Sequence, residues 1–220
     1  MVKIRKMKDI AIYGAGGFGR EVACLINNIS KESGKWKIIG FYDDNLSLKG
    51  SQNEYGSVLG GADELNAYDR ELDVVIAVGS PAATKSIYQK ISNSKVSFPN
   101  VISPSVDFAD ANNFKIGKGN VIQRLCSFSC NVTLGDFNSI NSGVGMGHDV
   151  VVGSFNSFMP AVRISGEVKI HEGNFFGVSS VVLQQIKIGV GVKIGAGSVL
   201  MTKPKDNSIY MGIPAKIFKY

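Results

Sequence analysis

Residues 116–199 divide into hexapeptides without remainder: IGKGNV, IQRLCS, FSCNVT, LGDFNS, INSGVG, MGHDVV, VGSFNS, FMPAVR, ISGEVK, IHEGNF, FGVSSV, VLQQIK, IGVGVK and IGAGSV, with Leu200 next in the same frame. The first position is apolar every time: Ile116, Ile122, Phe128, Leu134, Ile140, Met146, Val152, Phe158, Ile164, Ile170, Phe176, Val182, Ile188, Ile194 and Leu200. With 44% of the chain apolar, such a run in one frame arises by chance only on the order of a few times in 10⁵. Neither a helix nor an ordinary strand has this period. Each hexapeptide therefore supplies one short strand and one turn. Three of them close a triangular coil of a parallel β-helix with the first position pointing inward, giving about five coils of about eighteen residues.

The position after the apolar residue is glycine seven times (Gly117, Gly135, Gly147, Gly153, Gly177, Gly189, Gly195). The expectation is that these glycines turn the corners with φ > 0. Two positions before the apolar residue the chain places Asn120, Cys126, Val132, Asn138, Asn156, Asn174, Ser180 and Ser198, side chains that fit a narrow coil and can stack on the next one.

The first hundred residues follow another pattern. Asp9–Tyr13 reads as an apolar strand, Gly14-Ala15-Gly16-Gly17-Phe18-Gly19 as a glycine-rich turn, and Val22, Leu25, Ile26 and Ile29 recur at helical spacing behind it. A second strand (37–42) ends in Asp43-Asp44, a third (73–78) in Gly79-Ser80, and a helix begins at Pro81. A short strand over 96–102 leads to Pro104. The expected organisation is a Rossmann-like α/β half domain over 1–102 and a β-helix with C-terminal tail over 103–220.

A glycine-rich loop ahead of a helix lets backbone approach a phosphate, which the helix N-terminus attracts. Asp43 and Asp44, at the end of the next strand, can bond ribose or base groups. NAD is the obvious ligand, but only half of a dinucleotide fold is present, so a mononucleotide or nucleotide sugar fits better. The competing reading is a tight turn that merely packs helix on sheet.

Composition narrows the rest. Two hundred and twenty residues with 9% aromatic content suit one or two domains with a core. The expectation is a cytoplasmic protein, with no membrane span and no signal peptide at the start MVKIRKMKDIAIYG. Cys24, Cys126 and Cys130 read as reduced packing residues. Net charge is +6, with Lys3, Arg5, Lys6 and Lys8 at one end and Lys203, Lys205, Lys216 and Lys219 at the other. No basic stripe is interleaved with aromatics, so no nucleic-acid partner is expected.

His148 and His171 are the only histidines, too few for the three-histidine zinc site found on some β-helices; no metal is expected. His148, in Gly145-Met146-Gly147-His148-Asp149, lies two residues past an apolar position, where side chains leave the core. An imidazole suits taking a proton near neutrality, and Asp149 can assist only if the chain bends between the two. His171 reads as a solvent-facing corner residue.

With these pieces in view, the chain resembles the bacterial sugar O- and N-acetyltransferases related to sialic acid O-acetyltransferase and to the enzymes acting on nucleotide-linked 4-amino-sugars. The matching segments are GAGGFG (14–19), FYDD (41–44), AVGS (77–80), NSGVGMGHD (141–149), the hexapeptide run and GIPAK (212–216). The resemblance implies a left-handed β-helix, a homotrimer with active sites between subunits, acetyl-CoA as co-substrate, and His148 as general base tuned by Asp149. It implies that the nucleotide-linked sugar lies against Gly16, Gly17 and Phe18 with Asp43, Asp44 and Gly79 near base and sugar, and that acetyl-CoA runs past Ser157, Gly166, Val178 and Ala196. Phe18 stands where many relatives have a histidine; Ser157 and Ala196 replace a His and a Gly of some aminosugar enzymes. Two alternatives stay open: O-acetylation of sialic acid or another sugar hydroxyl, and a non-catalytic β-helix serving as scaffold or binding protein.

Overall fold

The computed structural model describes residues 7–219. Lys3, Arg5 and Lys6 of the front basic cluster lie outside them. The chain divides into two units: one takes in residues up to Gly79 and Ala83–Val101, the other Ser80–Ala82 and everything from Ile102.

The first unit holds a sheet in the order β3-β4-β2-β1-β5-β6, with β1 Lys8–Tyr13, β2 Trp36–Tyr42, β3 Gln52–Asn53, β4 Gly56–Gly60, β5 Leu72–Ile76 and β6 Val96–Ser97. All pairs are parallel except β3 with β4 at one edge. β1 lies between β2 and β5, and Ile10, Ala11, Ile12, Val74 and Val75 are fully buried, as expected for a parallel sheet. Helix α1, Gly17–Ser33, buries the expected stripe of Val22, Leu25, Ile26 and Ile29 and ends at Gly34 in the left-handed conformation. The β3–β4 hairpin and the short helix α2, Ala62–Asn66, had no sequence signal strong enough to announce them; α3 spans Pro81–Lys90. Residues 96–102, expected as one strand, form two, because the second, Val101–Ile102, belongs to the β-helix.

The second unit is the left-handed β-helix. Two-residue parallel strands stack in three faces. The first runs through Val121–Ile122, Ser139–Ile140, Ser157–Phe158, Phe175–Phe176 and Lys193–Ile194, the second through Ser127–Phe128, Gly145–Met146, Arg163–Ile164, Val181–Val182 and Val199–Leu200, and the third from Lys115–Ile116 to Lys187–Ile188. Successive coils register eighteen apart, as in Ile140 with Phe158 and Met146 with Ile164. From Ile122 to Leu200 every ladder residue is at most 3% exposed, and Phe158 stacks on Phe176 with ring centroids 4.5 Å apart. The coil begins before the ladder does, with strands at Val101–Ile102 and Asp107–Phe108. Phe108 pairs with Phe128, twenty residues on, whereas Ile116 pairs with Leu134, eighteen on. Two extra residues in that first coil break the period of six and hid it.

The corner expectation is corrected. None of the seven glycines after the ladder residues has positive φ; the left-handed position lies two residues later, at Gly119, Leu125, Asn131, Phe137, Gly143, Asp149 and onward every sixth residue to Gly197. The glycines answer a different need. A Cβ on Gly147 would sit 2.7 Å from the Gly166 nitrogen, and one on Gly177 would sit 2.5 Å from that of Ala196, so they permit close coil-to-coil approach.

Asn120, Asn138, Asn156 and Asn174, all at most 1% exposed, form a buried column between the third and first faces. Each Oδ1 accepts from the backbone N–H and, up to Asn174, from the Nδ2 of the residue eighteen on; Val192 ends it through its N–H alone. Buried amides are thereby satisfied inside the coil. The chain closes with an antiparallel pair, Ile209–Gly212 and Ala215–Phe218.

Candidate functional site

His148 and Asp149 sit at the corner between the second and third faces. Asp149 is left-handed, φ 59, and this bend turns its carboxylate to the same side as the preceding histidine. His148 Nδ1 lies 2.8 Å from Asp149 Oδ2, and both side chains are about half exposed. The hydrogen bond to His148, and after it one from Asn131, holds the Asp149 carboxyl below its usual range. Asp149 is thus the anionic partner that an imidazole needs while it carries an extra proton.

One coil on, Gly166 faces the ring: a Cβ there would lie 2.5 Å from His148 Nε2. The His148 carbonyl accepts from Glu167 N–H at 2.8 Å. The third face beside this corner forms an open groove lined by Asn131, Asp149, Val151, Glu167, Lys169, Gln185 and Lys187. Val178 and Ala196 occupy a different corner, between the first and second faces, and both are exposed. Ser157 is a strand residue of the first face, 2% exposed. Within one chain, therefore, Gly166 adjoins His148, whereas Ser157, Val178 and Ala196 do not share its corner. His171 is exposed, as expected, and its carbonyl accepts from Asn156.

In the first unit, the glycine loop and the residues after β2 and β5 lie at the C-terminal ends of adjacent parallel strands. Two of its glycines are steric necessities: a Cβ on Gly19 would lie 1.9 Å from the Gly14 carbonyl oxygen, and Gly14 has φ 117 with the Ala77 oxygen 2.5 Å from its added Cβ. Gly16, Gly17 and Gly79 differ, since an added Cβ meets nothing within 4 Å. Gly16 caps α1 with no side-chain hydrogen bond, so no capping side chain occupies the first-turn N–H groups. Phe18 is half-buried.

The two aspartates are partly committed. Asp43 accepts from Ala15 N–H at 2.8 Å and Asn45 N–H at 2.9 Å, tying the loop to the end of β2. Asp44 accepts from Tyr13 Oη at 2.5 Å and Lys90 Nζ at 2.7 Å. Burial pushes the Asp44 carboxyl up, but Lys90 and Tyr13 outweigh it and leave it below its usual range; burial, then Asp44, pushes the Tyr13 hydroxyl well above its own. Sequence reasoning missed Lys90, which carries no spacing signal, and Asn131, which stands eighteen residues, one coil, before Asp149.

All three cysteines are free. Cys126 is buried, and burial pushes its thiol up to about 11. Cys24 is exposed and bonded to the Tyr55 hydroxyl at 3.0 Å, so it is a surface group rather than the packing residue expected. Among the described residues no three His, Cys, Asp or Glu side chains cluster as a metal site, and no helix is long and apolar enough to cross a membrane.

Residues 9–91 match the PglD N-terminal domain family. The acetyltransferase domain of PglB from Neisseria gonorrhoeae, solved in complex with acetyl coenzyme A, is 28% identical; the alignment covers 96% of this chain and 100% of that one, with a TM-score of 0.86. PerB from Caulobacter crescentus, solved with CoA and GDP-perosamine, is 23% identical over 96% of this chain and 97% of that one, TM-score 0.85. WeeI from Acinetobacter baumannii is 22% identical over 96% and 100%, TM-score 0.85. No curated protein matches the sequence significantly.

Proposed function

We propose that this chain, which belongs to the bacterial sugar acetyltransferases and is an acetyl-CoA-dependent enzyme, moves the acetyl group to the amine of a nucleotide-linked amino-sugar with His148 as general base. The observation that carries the reading is the His148–Asp149 pair at 2.8 Å on an exposed, glycine-lined corner. The sugar amine attacks the thioester carbonyl, His148 Nε2 takes the amine proton, Asp149 stabilises the imidazolium, and the thiolate leaves. No acetyl-enzyme is required. The Gly166 N–H, on the residue facing the ring, would stabilise the oxyanion.

The nucleotide part would use the open side of Gly16 and Gly17, with Phe18 packing against it and Asp43, Asp44 and Gly79 near base and sugar. Acetyl-CoA would follow Gly166, Val178, Ala196 and the Ser157 backbone. Because Gly166 lies at one corner of the β-helix and Val178 and Ala196 lie at another, the reading includes a homotrimer in which neighbouring subunits complete each site. The relatives' ligands, acetyl-CoA for PglB and GDP-perosamine for PerB, support a nucleotide-sugar acceptor, and with it a role in glycan or polysaccharide biosynthesis in the cytoplasm.

Thiol release from acetyl-CoA, measured against UDP-, dTDP- and GDP-linked 4-amino-sugars and free sialic acid, tests it. Turnover with one of the amino-sugars is expected. Turnover with sialic acid alone would replace N- by O-acetylation, and none with any, together with no binding of coenzyme A at millimolar concentration, would favour a scaffold.

A further inference from the structure

We infer that Asn131 is a positioning residue for this reaction: it locks the Asp149 carboxylate against the His148 ring, so that Nε2 is left as the proton acceptor. The inference rests on the reading of His148 as general base.

Asn131 stands one coil before Asp149 at the same corner, and both are left-handed, φ 57 and 59. Asn131 Nδ2 donates to Asp149 Oδ1 at 3.0 Å, while Asp149 Oδ2 faces His148 Nδ1 at 2.8 Å. Each carboxylate oxygen therefore has its own partner, and the carboxylate cannot rotate without losing one. An ionised carboxylate only accepts, so it keeps the proton of the neutral ring on Nδ1 and the lone pair on Nε2, the nitrogen that faces Gly166. Because Asp149 is half exposed, water competes for its oxygens, and a second, fixed donor matters more than it would in a core.

The same corner repeats the device: Gln185 Nε2 donates to Glu167 Oε1 at 3.2 Å. Two carboxylates on successive coils, Asp149 and Glu167, are each held by an amide from the coil on the far side. The remaining charged groups of the groove are Lys169 and Lys187.

Side-chain ¹⁵N NMR reads the tautomer directly, and with two histidines in the chain the His171→Gln variant assigns the signals. At about pH 8.5, above the ordinary imidazole range, wild-type His148 is expected as the Nδ1–H tautomer. Asn131→Gly, which accepts the left-handed backbone without strain, and Asn131→Ala, which does not, should both shift the ring toward a mixture. Both should lower kcat about tenfold, a fraction of the ~10²–10⁴ assigned to a general base, with KM for acetyl-CoA within about twofold. A wild-type tautomer ratio in both folded variants overturns the inference, whatever the rate. The NMR readout needs no turnover, so this failure is distinguishable from His148 not being the base.

Discussion

Asp149 reaches His148 because of one backbone angle. On an extended strand, adjacent side chains point to opposite faces; at φ 59 they share one. The consequence is electrostatic. With its carboxyl held below the usual range by His148 first and Asn131 second, Asp149 keeps its charge to lower pH than an unpartnered carboxylate would. Asn tolerates the left-handed region, so Asp149→Asn removes the charge and keeps the turn. The imidazolium then loses its anionic neighbour, and kcat/KM should fall about tenfold or more, part of the ~10²–10⁴ assigned to a general base. An unchanged kcat/KM would remove Asp149 from the mechanism. The pair itself was legible in the sequence, because histidines are scarce and GMGHD interrupts the corner pattern. Its geometry was not: left-handed positions elsewhere carry Leu125, Phe137 and Ala161, types that do not announce them, while the glycines that drew attention serve coil stacking.

At the scale of the element, the β-helix depends on two inward columns. The apolar ladder buries its side chains by the hydrophobic effect, and the asparagine column satisfies the corner backbone. The Asn156 side chain links four residues: it donates from Nδ2 to Asn138 Oδ1 and the Ser154 and His171 carbonyls, and its Oδ1 accepts from the N–H and Nδ2 of Asn174. Asn156→Ala strands buried polar groups on both neighbouring coils, and urea unfolding should show a loss of about 2–4 kcal/mol with an unchanged m-value. A loss below about 0.5 kcal/mol would mean that the column is ornamental. Both columns were readable from the period of six. The coil's true start at Val101 was not, since a twenty-residue first coil breaks that period, and neither were β3, β4 and α2, whose short segments have no lasting periodicity.

At the scale of the whole molecule, the two units divide the chemistry. The first offers a loop in which Gly14 and Gly19 are steric necessities while Gly16 and Gly17 leave space, a division that favours ligand approach over mere packing. The second carries the proposed base, His148, and the candidate donor track. That track is spread over separate corners and successive coils of the β-helix, so the account needs a trimer, with a solution mass about three times 23.5 kDa.

The central claim is that His148 takes the proton during direct transfer, and the most direct measurement compares wild type with His148→Ala in thiol release at saturating acetyl-CoA and acceptor, on protein of unchanged mass. The account predicts a fall of about 10²–10⁴-fold. Retention of more than about a tenth of the wild-type rate would contradict it.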